Sequence, residues 1–181
     1  AELSRSDDAV YLGCGFDERY DLGLVEGGTG VEHFAVRVDD EEELSARADT
    51  LESMGVETTR THEDDDRFGG GVRFSLPSGV SAEFVTVSDP HYRQVTDPHA
   101  PRSGTAPVDL DHITLMTDDI EADVEFCEDL GFRVSEVHHL DEDTWRFAWT
   151  RYGTQHHDVA FVNTDESSYT LHHLAFMFAS V

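Results

Sequence analysis

Residues 110–115, Leu-Asp-His-Ile-Thr-Leu, and residues 171–176, Leu-His-His-Leu-Ala-Phe, are two short apolar runs that contain histidine. Their composition predicts that both are β-strands. A buried imidazole needs a partner, because an unpaired buried polar group costs free energy. A metal ion is one such partner, and two histidines on neighbouring strands supply two ligands of a 2-His-1-carboxylate Fe(II) site. His112 and His173 are therefore candidate metal ligands.

The first run opens a β-α-β-β-β unit, which we call module B (residues 109–163). Asp118 followed by Glu121 predicts a capped helix start, and Gly131 predicts the helix end. Four residues at helical spacing form the apolar face of this helix: Ile120, Val124, Cys127 and Leu130. The predicted strands of module B are 109–116, 132–140, 144–151 and 157–162.

The same order occurs in residues 31–87, which we call module A, so the chain contains an internal repeat. Asp40 with Glu43 predicts the start of its helix, Leu44, Ala48 and Leu51 its apolar face, and Gly55 its end. The predicted strands of module A are 31–38, 56–60, 71–76 and 81–87.

Further strands are predicted on both sides of the two modules. Two strands, 9–14 and 20–25, precede module A, and the glycine cluster at 27–30 is interpreted as a linker. A third copy of the unit begins at 169–178 with its first strand alone. Both ends therefore look incomplete, so we expect either a fragment or a homo-oligomer in which another copy completes the fold.

The chain is predicted to form an α+β protein of tandem βαβββ modules in two domains. The N-terminal domain comprises residues 9–87 and the C-terminal domain residues 109–181. Residues 88–108 are interpreted as a linker, since Pro90, Pro98, Pro101 and Pro107 disfavour regular structure there.

The composition is strongly acidic, with 39 acidic and 12 basic residues and a net charge of −27. Such a chain repels nucleic acid and anionic membrane surfaces. Its acidic surface resembles those of halophilic archaeal proteins. There are two cysteines and no CxxC motif, no apolar run near the ~18 residues of a membrane span, and no signal-peptide character. We predict a soluble, cytoplasmic protein.

Tandem βαβββ modules with a histidine in the first strand resemble the vicinal oxygen chelate superfamily. Within it the chain is similar to the type I extradiol dioxygenases, of the catechol 2,3-dioxygenase kind. This resemblance implies that His112 and His173 bind Fe(II). It also implies that His157, in the run His-His-Asp-Val-Ala-Phe at 156–161, is the catalytic histidine. The implied reaction is meta cleavage of a small aromatic diol, with O2 as co-substrate.

The third ligand in that family is a glutamate on the last strand of the fourth module. In module A, His33 and Glu83 occupy the equivalent positions, 50 residues apart. The same spacing from His173 places the third ligand at about position 223, beyond the sequence given. As written, the chain is expected to bind Fe(II) weakly, because two neutral imidazoles leave the ligand set incomplete.

Several alternatives remain open from the sequence. His33 and Glu83 are rival metal positions, alone or together with His112. The site could take Mn(II), Zn(II) or Ni(II) in a lyase or isomerase, or the modules could bind a small molecule without metal. His112 and His173 could be core residues bonded to backbone, and His157 could simply pair with Asp158. The remaining histidines on these strands are interpreted as surface residues: His138, His139, His156 and His172.

Overall fold

The helices and strands follow the repeated order that the sequence predicts. The computed structural model describes residues 2–14, 20–62, 68–88, 107–165 and 170–178, which contain twelve strands and two helices. The strands before module A are β1 (Glu2–Arg5), β2 (Ala9–Leu12) and β3 (Leu22–Val25). Module A comprises β4 (Phe34–Arg37), α1 (Glu41–Ser53), β5 (Thr59–Thr61), β6 (Phe68–Ser75) and β7 (Ser81–Val87). Module B comprises β8 (Asp109–Thr117), α2 (Ile120–Asp129), β9 (Arg133–His139), β10 (Trp145–Arg151) and β11 (Val159–Asn163), and β12 (Leu171–Met177) follows.

The strands form three sheets. The first has the order β1-β2-β3, the second β4-β7-β6-β5 and the third β12-β8-β11-β10-β9. In each module the first strand is parallel to the last, and the other pairs within the module are antiparallel. Mixed sheets with few helices confirm the predicted α+β fold.

Both modules pair their parallel strands in the same register. In module A, Ala35 lies opposite Glu83, and in module B, Thr114 lies opposite Ala160. Ala35 and Thr114 each follow the first histidine of their module by two residues. Glu83 and Ala160 therefore occupy equivalent positions in the repeat.

The chain divides into two compact units. The first comprises Ala1–Thr29, Pro90–His112 and Leu174–Val181, and the second comprises Gly30–Asp89 and Ile113–His173. The predicted division into domains at 9–87 and 109–181 stays a prediction, because residues 89–106 of the expected linker lie outside the described residues.

Side-chain caps begin both helices. The Asp40 carboxylate accepts the backbone N–H of Glu43 at 2.9 Å, as predicted for α1. The cap of α2 is Asp119 rather than Asp118, and its carboxylate accepts the N–H of Ala122 at 3.1 Å. Asp119 is selected because its own N–H donates to the Thr117 hydroxyl, which fixes the turn one residue later.

Helix faces and inner strand residues build the core of the second unit. Leu44 and Leu51 of α1 are 0 % exposed. The predicted apolar face of α2 is likewise buried. Phe84 joins the modules, since its ring lies 5.3 Å from that of Phe74 and 5.6 Å from that of Tyr152. Each such large apolar side chain contributes about 1.5–3 kcal/mol by leaving water.

Several strands differ from the sequence expectation. Strand β1, which pairs with β2 and is exposed throughout, was not predicted. Strand β4 begins after His33 rather than before it, and β11 begins two residues after His157.

Neither helix in the described residues is long and apolar enough to cross a membrane.

Candidate functional site

The sheet of module B has two faces with different surroundings. Ala148 and Phe161, which lie opposite each other and are 0 % exposed, belong to the face that packs against α2. The alternate residues Phe147 and Trp149 belong to the other face, which we call the aromatic face. Their rings are half-buried and stack with centroids 5.7 Å apart.

The aromatic face continues across the sheet to β8. Trp149 lies opposite Ala160, and Ala160 lies opposite Thr114. A small side chain at Ala160 therefore separates the indole ring from the threonine hydroxyl. The aromatic face thus combines the flat apolar rings of Phe147 and Trp149 with the polar side chain of Thr114.

His173 of β12 borders this face through Thr114. Its Nε2 lies 3.2 Å from the Thr114 Oγ1, and its Nδ1 lies 2.7 Å from the Nδ1 of His172. The side chain is exposed. Both ring nitrogens of His173 therefore have polar neighbours, and a metal ion or substrate would bind in place of one of these contacts.

His112 lies on β8, the neighbour of β12 in the sheet. It precedes Thr114 by two residues, so its side chain projects from the same side of the strand. The His112 side chain is 14 % exposed, and its Nδ1 lies 2.6 Å from the Asp111 carboxylate. A carboxylate at Nδ1 favours the tautomer with its proton there, which puts the lone pair on Nε2, one of the two ring nitrogens through which a histidine can bind a metal ion.

His157 lies in the turn before β11, in the second unit with His173, whereas His112 lies in the first unit. Its Nδ1 is 3.0 Å from the Nδ1 of His156. The Asp158 carboxylate accepts the backbone N–H groups of Tyr152 and Gly153 at 2.7 and 2.9 Å, and so holds this turn in place. His157 is half-buried, whereas His156 is exposed.

A second polar cluster lies in module A and contains both rival metal positions. The Oε2 atom of Glu83 lies 3.7 Å from the Nε2 of His33 and 3.2 Å from the Nε2 of His62. Arg73 lies opposite Glu83 in the sheet, and its guanidinium is 3.5 Å from the same oxygen. Thr61 donates a short hydrogen bond to the Glu83 Oε1. Glu83 is 1 % exposed, so this cluster compensates a buried charge.

The environment shifts the pKa values of two groups in this cluster. Burial lowers the pKa of His33, and the charge of Arg73 lowers it further against the opposing charges of Glu83 and Glu32. Burial alone would raise the pKa of Glu83, but the Thr61 hydrogen bond and the charges of His62 and Arg73 lower it overall. His33 is thereby kept neutral and Glu83 ionised near neutral pH.

Within the described ranges, no group of three or more His, Cys, Asp or Glu side chains is arranged to hold a metal ion. The structure places His112 and His173 on neighbouring strands and puts His157 on the turn before the strand that pairs with β8. Two residues were missed in the sequence, Thr114 and Arg73, and His62 was interpreted as part of a solvated acidic turn. Strand alternation could have indicated Thr114 and Arg73, but the contact of His62 depends on the pairing of β5 with β6.

The chain is similar in sequence to known proteins. The sequence model of the Glyoxalase/Bleomycin resistance protein/Dioxygenase superfamily matches residues 109–181. A curated protein, the iron-dependent extradiol dioxygenase of Rhodococcus jostii (strain RHA1), is 29 % identical over 72 % of this chain and 48 % of its own length. The chain therefore spans about half the length of that relative.

Solved structures of similar sequence share the fold. The E323L mutant of homoprotocatechuate 2,3-dioxygenase from Brevibacterium fuscum superposes with a TM-score of 0.82 at 27 % identity, over 97 % of this chain and 49 % of that chain. The 2,3-dioxygenase LapB from Pseudomonas sp. KL28 has a TM-score of 0.82 at 31 % identity, over 99 % of this chain and 66 % of that chain.

Proposed function

Because this chain belongs to the glyoxalase/bleomycin resistance protein/dioxygenase superfamily, we propose that the protein is an extradiol dioxygenase that cleaves catechol-type diols. The proposed cofactor is Fe(II) and the co-substrate is O2, in keeping with the iron-dependent relative. The observation that carries the proposal is the pairing of two histidine-bearing strands, β8 and β12, in a sheet with an aromatic face.

The residues present fit two of the three ligands that such a metal takes. His112 has a carboxylate at Nδ1, which favours a lone pair on Nε2. His173 is held beside β8 by the Thr114 hydroxyl. We propose these two imidazoles as ligands, with a carboxylate completing the set. When bound, the metal ion lowers the pKa of a coordinated hydroxyl and so favours the deprotonated diol.

The other proposed roles belong to side chains of module B. Phe147 and Trp149 offer a flat apolar wall that suits an aromatic ring. His157 is proposed to accept the diol proton, because an imidazole exchanges protons near neutral pH. The turn organised by Asp158 holds His157 at the start of β11, which pairs directly with β8.

The test is an assay of the native gene product after anaerobic loading with Fe(II). We expect uptake of one O2 per diol and a yellow ring-opened product from catechol or its alkyl or aryl derivatives. A product formed without O2 uptake would instead indicate a lyase or isomerase with another metal, such as Mn(II), Zn(II) or Ni(II). The proposal is refuted if none of these diols gives O2 uptake or a ring-opened product.

Paired histidine variants sharpen this test. His173→Ala is expected to lose iron and at least 100-fold in activity, since metal ligands and their supports typically contribute this much. His139→Ala is the matched control, because this exposed histidine lies on β9, at the opposite edge of the sheet from β12. Equal losses of bound iron in the two variants would contradict the assignment of His173.

A further inference from the structure

Module A contains side chains at positions equivalent to those of the proposed metal ligands, but these side chains do not surround an open metal site. The strand register makes Glu83 equivalent to Ala160, and it places His33 at the position of His112. A third side chain, that of His62, lies in the same cluster. His62 directly follows β5, and its backbone has a φ of 60°. A positive φ is uncommon outside glycine and is tolerated where surrounding contacts fix the residue.

The two imidazoles converge on one carboxylate oxygen. The Nε2 atoms of His33 and His62 lie 3.7 and 3.2 Å from the Oε2 of Glu83. Two ligand atoms that share one divalent ion at about 2.1 Å are about 3.0–3.4 Å apart. The spacing in module A is therefore within a few tenths of an ångström of a metal-bound arrangement.

The supporting contacts also match those of a metal ligand. Thr61 donates its hydroxyl to the Oε1 of Glu83, which leaves Oε2 as the oxygen that faces both imidazoles. The ring of His62 stacks on Phe68 with centroids 4.2 Å apart. Metal ligands are commonly oriented in this way by hydrogen bonds and packing behind them.

A cation already lies among these ligands, and it is the side chain of Arg73. Its Nη2 is 3.1 Å from the Nε2 of His33 and 3.5 Å from the Oε2 of Glu83, and its Nη1 is 3.9 Å from the Oε1 of Glu32. The guanidinium donates to the same imidazole nitrogen and neutralises the same buried carboxylate that a metal ion would bind. Guanidinium groups stay charged and are suited to buried ion pairs.

We propose that His33, His62 and Glu83 are the ligands of a latent His-His-carboxylate site, in which the guanidinium of Arg73 occupies the cation position and excludes divalent ions. As the chain stands, these side chains are not arranged to hold a metal ion. Removal of the guanidinium should open a site for a borderline-soft ion such as Co(II) or Zn(II), since imidazole suits these metals. This inference does not depend on the proposed dioxygenase activity.

The experiment uses Co(II) as the probe, in the full chain carrying His112→Ala and His173→Ala so that those imidazoles do not contribute. Arg73→Ser is added to this parent, and binding is followed by visible absorption and equilibrium dialysis. We expect one Co(II) per chain, bound at least tenfold more tightly than by the parent. Adding Glu83→Gln or His62→Ala to the Arg73→Ser chain should return the affinity to that of the parent.

Two results would overturn the proposal. The first is an Arg73→Ser chain that binds Co(II) no better than the parent. The second is a parent chain that already binds one Co(II) and loses it with Glu83→Gln, since Arg73 would then exclude nothing. Arg73→Thr, with a side chain suited to a strand, provides a second background. If either variant is destabilised, Co(II) should raise its Tm, and a Tm that does not respond counts against the proposal.

Discussion

Gly71 is a residue whose identity is set by the polar cluster of module A. An added Cβ would lie 2.3 Å from the Thr61 Oγ1 and 2.7 Å from the Glu83 Oε1. These two groups are hydrogen-bonded to each other, so neither can move away without breaking that contact. We expect Gly71→Ala to lower the free energy of unfolding by about 1–3 kcal/mol, as overpacking does.

Urea denaturation measures this loss. Gly28→Ala is the matched control, because an added Cβ at Gly28 meets nothing within 4 Å. The control should change the free energy of unfolding by no more than about 0.5 kcal/mol. A loss of the same size in both variants would show that the crowding at Gly71 is not the cause.

Asp123 is a second residue whose environment sets its chemistry. It is 0 % exposed, and its Oδ1 accepts the backbone N–H of Ser78 at 3.0 Å. Burial raises the pKa of Asp123 above its ordinary value of 3.8, against the opposing effect of the Ser78 hydrogen bond. A raised carboxyl pKa means that the native state favours the protonated form, so stability falls as the pH rises above about 3.8.

Asp123→Asn should therefore be at least as stable as the parent at pH 7, because the amide keeps an acceptor for Ser78 and carries no charge. Its advantage should disappear below pH 4, where the parent aspartate is protonated. Asp123→Ala is the control for loss of the acceptor, and it should lower stability by about 1 kcal/mol or more. A deficit for Asp123→Asn that is the same at every pH would contradict this account.

At the scale of secondary-structure elements, a hydrogen-bonded group joins α1 of module A to Tyr152, the residue that follows β10 of module B. The Tyr152 hydroxyl donates to the Glu43 carboxylate and accepts from the Arg47 Nε at 2.8 Å. Burial raises the pKa of Tyr152 to about 12, with a further contribution from its bond to Glu43. The same hydrogen bond lowers the pKa of Glu43 below its ordinary 4.5.

These shifts predict a pH-dependent effect of Tyr152→Phe. The raised tyrosine pKa stabilises the fold fully below pH 10, and this contribution is lost as the pH rises towards 12. The lowered Glu43 pKa stabilises it above pH 4.5, and this contribution is lost as the pH falls through the native value. The variant should lose about 1–2 kcal/mol at pH 7. Urea denaturation from pH 4 to pH 11 measures the change, and the deficit should shrink at both ends.

Tyr11→Phe is the matched control for this prediction. The Tyr11 ring packs against the Tyr20 ring at an interplanar angle of 49°, with centroids 4.7 Å apart, outside both modules. Its loss of stability should not follow the pH profile of Tyr152→Phe. A deficit for Tyr152→Phe that is constant from pH 4 to pH 11 would indicate altered packing rather than the loss of the hydrogen bonds to Glu43 and Arg47.

The elements differ in how well their sequence predicts them. Strand β7 runs from Ser81 to Val87 as predicted, since its β-prone residues are bounded by a Pro-Ser-Gly turn. The start of α2 was wrong by one residue, because Asp118 and Asp119 are equally good caps in sequence and only the Thr117 contact distinguishes them. Strand β1 was missed because its four exposed residues carry no apolar alternation, and pairing with β2 alone defines it.

At the scale of the whole molecule, the repeat made most of the fold predictable. Two copies of one pattern support each other, and the predicted β-α-β-β-β order is present in both modules. The repeat also identified His33 and Glu83 as the counterparts in module A of the expected metal ligands. The Nε2 of His33 does lie 3.7 Å from the Oε2 of Glu83. The repeat could not identify Arg73 or His62 as their neighbours, because those contacts depend on the pairing of β5, β6 and β7. The metal-binding and catalytic roles of His112, His157 and His173 stay predictions.

The net charge of −27 is a property of the whole chain and predicts how its stability responds to salt. Like charges confined to a compact state repel one another, and this repulsion opposes folding. Salt shortens the range of the repulsion from about 10 Å at 0.1 M to about 3 Å at 1 M. We expect the urea midpoint to rise between 0.05 and 1 M NaCl while the m-value stays unchanged. The corresponding increase in the free energy of unfolding should be at least about 1 kcal/mol, which is a substantial fraction of a domain's stability. Choline chloride at the same ionic strength should give the same increase, because screening depends on ionic strength and not on the cation. An increase with only one of the two salts would instead indicate specific binding of that cation, and no increase with either would mean that charge repulsion does not limit stability.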